Sequence, residues 1–227
     1  HHHAAEEMGC FLPVTVFLGG PPALTLSAIA ALPEMVPELL FASFLMGDKL
    51  KVTEVEDHAH ALIAEAEFAL VGEVPPGVRR PEGPFGDHYG YYSVVHDFPV
   101  FNVHNIYHRR DAIYPATVVG RPRQEDYYIG EYFQSLVSPI FPVLMPGVKA
   151  LWTYAETGFH SLAAAVVRES YYREALAHAF RILGEGQLSL TKILMLTDQD
   201  VDLKNFPLLL ETILERFRPE RDLVIIN

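Results

Sequence analysis

The chain is predicted to be a mixed α+β protein in two parts. A strand-rich first part, residues 1–123, would form a barrel or a strongly twisted sheet, and residues 124–227 a small α/β layer domain. Three observations predict this. Short apolar runs fill the first half, several alternating with period two and each punctuated by Pro or Gly. The second half alternates such runs with stretches at i, i+3, i+4 spacing. At 227 residues, half of them hydrophobic, the chain can bury one large core or two modest ones.

Taken in order, LPVTVFLGG (residues 12–20) reads as a strand closed by a Gly-Gly-Pro-Pro turn. Short helices are expected over residues 24–31 and 36–45. LKVTEVED, AEAEFALVGEV, FPVFNVHNIYHR and IYPATVVG read as further strands. Strands joined by short turns with few helices are the pattern of a barrel or twisted sheet. In the second part VKALWTYAE, HSLAAAVVRE, KILMLTDQDV and RDLVIIN read as strands. Tyr172, Ala175, Leu176, Ala179, Phe180 and Leu183 share one helical face. Phe206, Leu209, Leu210, Ile213, Leu214 and Phe217 share another, with Asn205 ahead of Pro207 marking a helix start. There is no internal repeat and no low-complexity segment.

Composition narrows the function classes. Seventeen basic against 29 acidic residues give a net charge of −12, which argues against a nucleic-acid or anionic-membrane partner. Cys10 is the only cysteine, so no intrachain disulfide and no CxxC zinc site can form; a reducing cytoplasm is the expected setting. No apolar run reaches membrane-spanning length, and HHHAAEEMGCFL lacks the order of a signal peptide. His1–His3 read as a tag remnant or solvated histidines and carry no chemistry.

Several familiar catalytic motifs are missing: GxSxG, GxxxxGK[ST], GxGxxG after a strand, and HExxH. His58 and His60 would point the same way from a strand, as solvent-facing residues; His104 and His108 need not converge. The TDQDVD run (residues 197–202) suits a solvated turn with capping aspartates better than a magnesium site. PEGPFGDHYGYYS (residues 81–93) stands apart. It holds Glu82 and Asp87 five residues apart among Gly83, Pro84, Gly86 and Gly90. Neither a helix nor an ideal strand puts that spacing on one face, so the glycines and proline predict a shaped loop that aims two acids. Paired carboxylates in unlike settings can supply one proton donor and one fixed charge. Two loop carboxylates capping backbone amides is the plainer alternative.

That loop also carries a resemblance. GPFGDHxGYY followed by RxxAIYxxTxxGRPxxED is similar to the UbiD family of decarboxylases, which includes 3-octaprenyl-4-hydroxybenzoate carboxy-lyase. The likeness starts at about residue 12 and takes in LPVTVFLGGPPALTLSAIAALP, PELLFASFLMG, FPVFNVHNIYHRRDAIYPATVVGRPRQED, TKILMLTDQDVD and RFRPERDLVIIN. It implies a split β-barrel flavin-binding part, an α/β domain that makes contacts between subunits, and a homo-oligomer. The implied activity is non-oxidative decarboxylation of an aromatic or α,β-unsaturated acid, with a polyprenyl-hydroxybenzoate of quinone biosynthesis as the default substrate. Loss of CO2 leaves charge on an sp2 carbon that no side chain can delocalise, so the electron sink is borrowed from a cofactor. The resemblance names it as prenylated FMN, furnished by a flavin prenyltransferase.

By the same resemblance, Asp87 returns a proton to the carbon that lost CO2, and Glu82 sets its position and protonation. Many members carry Glu where this chain has Asp87, a longer arm by one methylene. Holding that proton near neutral pH would be favoured by an apolar pocket with Phe85 and Tyr89 nearby. Glu38 would bind Mn2+ or a similar divalent ion beside the flavin phosphate, although a glutamate in a first helical turn also suits the macrodipole alone. Ala28, Ile29 and Ala31 would line the flavin, and K+, through main chain. The family's Asn, Arg and His of the cofactor site, and its terminal helix, have no counterpart in the matched stretch. The chain alone is therefore expected to be an incomplete, inactive form. Two other classes stay open: a non-catalytic oligomerisation or binding module on the same scaffold, and a metal-dependent hydrolase using Glu82, Asp87, His88 and His96.

Overall fold

The computed structural model of the chain describes residues 1–30, 32, 36–56 and 60–226. It divides into two compact units, His1–Val118 and Val119–Asn227.

The first unit opens with helix α1 (His2–Glu7) and strand β1 (Leu12–Leu18). Gly19 and Gly20 carry the chain out of β1 at φ 70° and 102°, a region that side chains with a Cβ avoid. Two short helices follow and pack together: α2 (Pro22–Ala28), with proline in its first turn, and α3 (Glu38–Met46), ended by left-handed Gly47. β2 (Val52–Thr53) and β3 (Leu62–Ile63) form a two-residue ribbon. β4 (Phe68–Val74) leads to the hairpin β5 (Arg79–Glu82) and β6 (His96–Pro99), and β7 (Asn102–His108) returns to the sheet.

β4 is the centre of an antiparallel sheet ordered β1-β4-β7. A bulge falls at Gly72, where a Cβ would run into the Asn102 carbonyl. Phe17 of β1 packs into two apolar clusters, one around Leu62, Ala69 and Val71, the other around Leu24, Ile63 and Ala66. Among the described residues these strands do not close into a barrel. The unit is one three-stranded sheet with two small ribbons.

Two charged anchors hold its periphery. Glu6 of α1 accepts from Arg79 at 2.7 and 3.0 Å and from the Gly77 amide at 3.0 Å. The guanidinium first, then the amide, pull the Glu6 carboxyl down to about 2. Glu67 accepts from Arg109 and from the amide of Ile113, both at 3.0 Å. The second contact explains why IYPATVVG forms no strand: a backbone donor at its start is taken by a side chain, and Ile113, Tyr114 and Val118 stay exposed.

The second unit contains α4 (Glu125–Val137), a 3-10 turn leading to α5 (Phe141–Leu144), β8 (Val148–Thr153), β9 (Leu162–Val167), α6 (Glu174–Leu183), β10 (Ile193–Thr197), α7 (Phe206–Leu214) and α8 (Pro219–Asp222). β9 lies between antiparallel β8 and parallel β10. It is covered on both faces, which is why it reads as an unbroken apolar run. Ala165 and Val167 pack with Met145, Val148, Leu151 and Ile182 of α6. Their neighbours Ala164 and Val166 pack with Trp152, Tyr154, Leu203 and Leu209 of α7, so the strand's two-residue period builds two cores. Tyr154 donates its hydroxyl to the Leu203 carbonyl at 2.8 Å. Burial, then the charges of Asp202 and Glu156, push that phenol up to about 12.

The helices depart from the sequence reading in four places. The buried stripe of α6 is Glu174, His178 and Ile182, whereas Phe180 is 53% exposed and Tyr172 is exposed too. Glu174 can enter the core because Arg168 and the Ser170 amide donate to it, which also holds its carboxyl below the usual range, the amide contributing most. On α7, Phe206, Leu209 and Ile213 face the core while Leu210 and Leu214 remain exposed. Asn205 caps that helix as expected, accepting from the Leu208 amide at 3.3 Å. RDLVIIN is not a strand: Pro219 opens a helix whose Asp222 accepts from the Arg218 amide at 2.9 Å, and residues 223–226 are exposed without strand pairing. Helix α4, with no fully buried residue to mark an apolar stripe, was not anticipated. Its Gly130 accommodates the Phe159 ring, whose Cζ would lie 2.5 Å from an added Cβ.

Candidate active site

Glu82 and Asp87 lie on one arm of a hairpin rather than in a free loop. Arg79 pairs with Pro99 and Glu82 with His96 in β5–β6. Beyond the strands the same register continues: Phe85 exchanges hydrogen bonds with Ser93, its amide donating to Oγ at 3.2 Å and its carbonyl accepting from the Ser93 amide at 2.9 Å. Gly86 bridges Tyr92, and the Asp87 amide donates to the Tyr91 carbonyl at 2.9 Å. Gly83, at φ 101°, interrupts the pleat between the two acids.

Asp87, His88, Tyr89 and Gly90 make the turn at the tip. The Gly90 amide donates to the Asp87 carbonyl at 2.9 Å, and Gly90 sits at φ 89°. Asp at the first position and Gly at the fourth are what such a turn favours. The Asp87 carboxylate folds back on it: Oδ1 accepts from the Tyr89 amide at 2.9 Å and lies 3.3 Å from His88 Nδ1. The His88 ring lies 4.6 Å from the Tyr89 ring, tilted by 40°, and Tyr89 stacks at 5.8 Å on Tyr91.

The expected apolar pocket is only partly present within this unit. The Asp87 side chain is 32% exposed and Phe85 49% exposed. Glu82 is exposed, and its carboxylate has no hydrogen-bond or ion-pair partner among the described residues. Asp87 does cap a backbone amide, as the plainer alternative expected, but through a single oxygen.

Glu38 is the first residue of α3 and is exposed; Ala28 and Ile29 end α2 and are exposed as well. Ala31 lies outside the described residues, as does His58. These positions share no hydrogen bond or ion pair with Glu82 or Asp87 among the described residues. A carboxylate oxygen at a helix N-terminus suits a hard cation in kind, but such an ion wants six or more oxygens. Among the described residues no three His, Cys, Asp or Glu side chains converge for a metal, so Glu38 stands as one donor. The hydrolase set does not assemble as a cluster: His88 adjoins Asp87, while His96 sits opposite Glu82 in the register.

The other candidates have local explanations. His60 is exposed; His104 lies 3.6 Å from Glu73, and His108 contacts the Arg109 carbonyl at 2.7 Å. In TDQDVD, Thr197 Oγ1 accepts from the Gln199 amide at 3.1 Å and Asp202 from the Lys204 amide at 3.0 Å, both turn caps. The sequence reading did not assign Ser93 or Tyr91, which close the hairpin below its tip. The D-x-x-G turn signal at Asp87–Gly90 would have pointed to them.

A family model described as the 3-octaprenyl-4-hydroxybenzoate carboxy-lyase Rift-related domain matches residues 1–122, and the C-terminal domain of the same family matches residues 127–227. The chain belongs to the UbiD family. The match to the first UbiD domain begins at residue 1, so His1–His3 and helix α1 lie inside it, not ahead of it as the sequence reading held. A curated relative from Chlamydia pneumoniae, named as one of the subunits of 4-hydroxybenzoate decarboxylase, is 63% identical over 227 residues. That alignment covers 100% of this chain and 39% of the relative. An uncharacterized protein of Archaeoglobus fulgidus is 38% identical over 222 residues, covering 98% of this chain and 46% of that one.

Two solved UbiD-class structures share the fold at 25% identity. Vanillic acid decarboxylase of Sedimentibacter hydroxybenzoicus in closed form matches with a TM-score of 0.89, covering 100% of this chain and 48% of that one. An evolved dimeric form of HmfF from Pelotomaculum thermopropionicum, in complex with prFMN, matches with a TM-score of 0.79 over 100% of this chain and 52% of that one. The mixed α+β class and the carboxy-lyase family expected from the sequence both stand. Among the described residues no helix is long and apolar enough to cross a membrane.

Proposed function

We propose that this chain is part of a prenylated-FMN-dependent, non-oxidative decarboxylase of an aromatic or α,β-unsaturated carboxylic acid, acting in the cytoplasm as a homo-oligomer. The observation that carries the reading is the hairpin itself. Within a chain matched by UbiD domains over residues 1–122 and 127–227, it presents one carboxylate at a hydrogen-bonded turn and a second further down the same arm.

When bound, the prenylated flavin, furnished by a flavin prenyltransferase, supplies the electron sink for the charge left by departing CO2. The remaining work falls to side chains. Asp87 holds a proton and delivers it to the carbon that lost CO2. Glu82, further down the same arm, would act on Asp87 by helping to set the position of its turn, as the family resemblance implies. Ala28 and Ile29, with Ala31 beyond them in sequence, would line the flavin and K+ through main chain, and Glu38 would supply one oxygen to Mn2+ or a similar ion. Hydroxylated benzoic acids are the first substrates to try, since relatives named for 4-hydroxybenzoate and vanillic acid belong to this class.

The deciding experiment is mass spectrometry of the cofactor released after co-expression with a flavin prenyltransferase, followed by an assay for CO2 release. Stoichiometric prenylated FMN would mean a complete cofactor site, and Asp87→Asn should then abolish turnover; a folded protein without flavin is the outcome expected if the chain alone is the incomplete form. Unchanged turnover in Asp87→Asn would sink the assignment of the donor. A second reading, a non-catalytic oligomerisation module, draws on the carboxylate of Glu82 lacking a cationic partner among the described residues. It predicts a folded, self-associating protein that retains no flavin.

A further inference from the structure

The Asp87 carboxylate is held more tightly than its turn requires. An aspartate opening a turn needs one hydrogen bond, from the amide two residues on, and the Tyr89 amide supplies it at 2.9 Å. His88 Nδ1 approaches the same oxygen, Oδ1, at 3.3 Å. The ring is packed from one side: the Tyr89 ring lies against it at 4.6 Å, tilted by 40°, and Tyr91 stacks behind Tyr89 at 5.8 Å. Tyr91 is in turn fixed by the hydrogen bond from the Asp87 amide to its carbonyl. The stack and the carboxylate are thus parts of one hairpin tip.

We infer that His88 is a positioning residue for Asp87, donating from Nδ1 to Oδ1 so that the transferable proton resides on Oδ2. This rests on Asp87 being the proton donor of the proposed reaction. Two effects follow from a second donor on one oxygen. Hydrogen bonds to a carboxylate oxygen stabilise negative charge there and make that oxygen the less basic of the pair. The terminal torsion of an aspartate is otherwise broad and two-fold, so rotation would exchange the two oxygens. Two donors converging on Oδ1 oppose that exchange. The acid then meets its substrate with a defined oxygen carrying the proton, and is reset to the same geometry each cycle. The separation of 3.3 Å lies just beyond the usual N–H···O range, so the contact restrains Oδ1 weakly and the Tyr89 amide supplies the stronger bond.

Two measurements test this independently. In the histidine-labelled chain, 15N NMR above the range where imidazole titrates should find the neutral His88 ring protonated on Nδ1, with reversion to the Nε2–H form in Asp87→Ala, which removes the acceptor. A bare Nδ1 in the unsubstituted chain overturns the inference, whatever the enzyme catalyses. In the flavin-loaded protein, His88→Phe keeps an aromatic ring against Tyr89 and removes the donor. It should lower kcat about tenfold with KM little changed. His88→Asn, which restores an N–H near Nδ1, should recover most of that loss. Wild-type kcat in His88→Phe, or equal losses in both variants, overturns it. If the protein loaded with stoichiometric prenylated FMN releases no CO2 while the NMR result holds, the decarboxylase reading fails and the His88–Asp87 pairing survives.

Discussion

Two side chains make the stability of this fold depend on pH. Glu6 is bound by Arg79 and the Gly77 amide, and its carboxyl falls from 4.5 to about 2. A depressed carboxyl contributes stability that is present above its unfolded value and lost as pH drops through its folded one, here between 4.5 and about 2. Glu6→Gln should flatten that part of the acid limb, read as urea midpoints at pH 5 and pH 2.5. An unaltered slope would mean the contact is absent in solution. Tyr154 works at the other end. Its phenol is raised from 10.0 to about 12, so the folded form keeps the proton that the unfolded form gives up. Stability is full below pH 10 and declines as pH rises toward 12. Tyr154→Phe should be less stable at neutral pH, having lost the bond to Leu203, yet lose less on going from pH 9 to 11.5. Equal alkaline losses in both proteins would contradict the assignment.

The strands were more legible than the helices, for a physical reason. β1, β4, β7, β8, β9 and β10 are paired inside their sheets, and either period two or an unbroken apolar run marks such strands. IYPATVVG and RDLVIIN have the same composition, but a strand former becomes a strand only when a neighbour takes its amides. Glu67 and Asp222 take amides in or just before these segments instead. The face of α6 was misread because burial of Glu174 depends on Arg168 and Ser170, whose approach no periodicity records. The candidate acids were legible as residues and not as geometry: the sequence suggested a loop, and the hairpin register emerges only from pairings such as Glu82 with His96. Helix α4 yields its own test. An alanine at position 130 would normally favour a helix by about 1 kcal/mol. Here its methyl meets the Phe159 ring, so Gly130→Ala should destabilise by about 1–3 kcal/mol. Phe159→Leu should relieve the clash, and a raised thermal midpoint in Gly130→Ala alone would refute it.

At the scale of the molecule, each unit has its own cores. Leu62 and Ile63 anchor those of the first, and the two faces of β9 build those of the second. Residues 119–227 alone should therefore retain the circular dichroism of a mixed fold and melt cooperatively; a broad, non-cooperative transition would mean the second core depends on the first. Within it, Leu209→Ala empties a fully buried position and should cost about 2–5 kcal/mol. The net charge of −12 acts on the whole chain, and retention on an immobilised polyanion at low salt should be negligible.

The hairpin beneath Asp87 also works as a ruler. Each arm advances about 3.3 Å per residue, so one added residue pair, one residue in each arm, moves the tip outward by about 3.3 Å and turns its side chains to the other face. Two added pairs, a cross-strand pair and the next, move it by about 7 Å and restore the original facing. The reach of the Asp87 turn is therefore adjustable in discrete notches, carried on a longer or shorter stem.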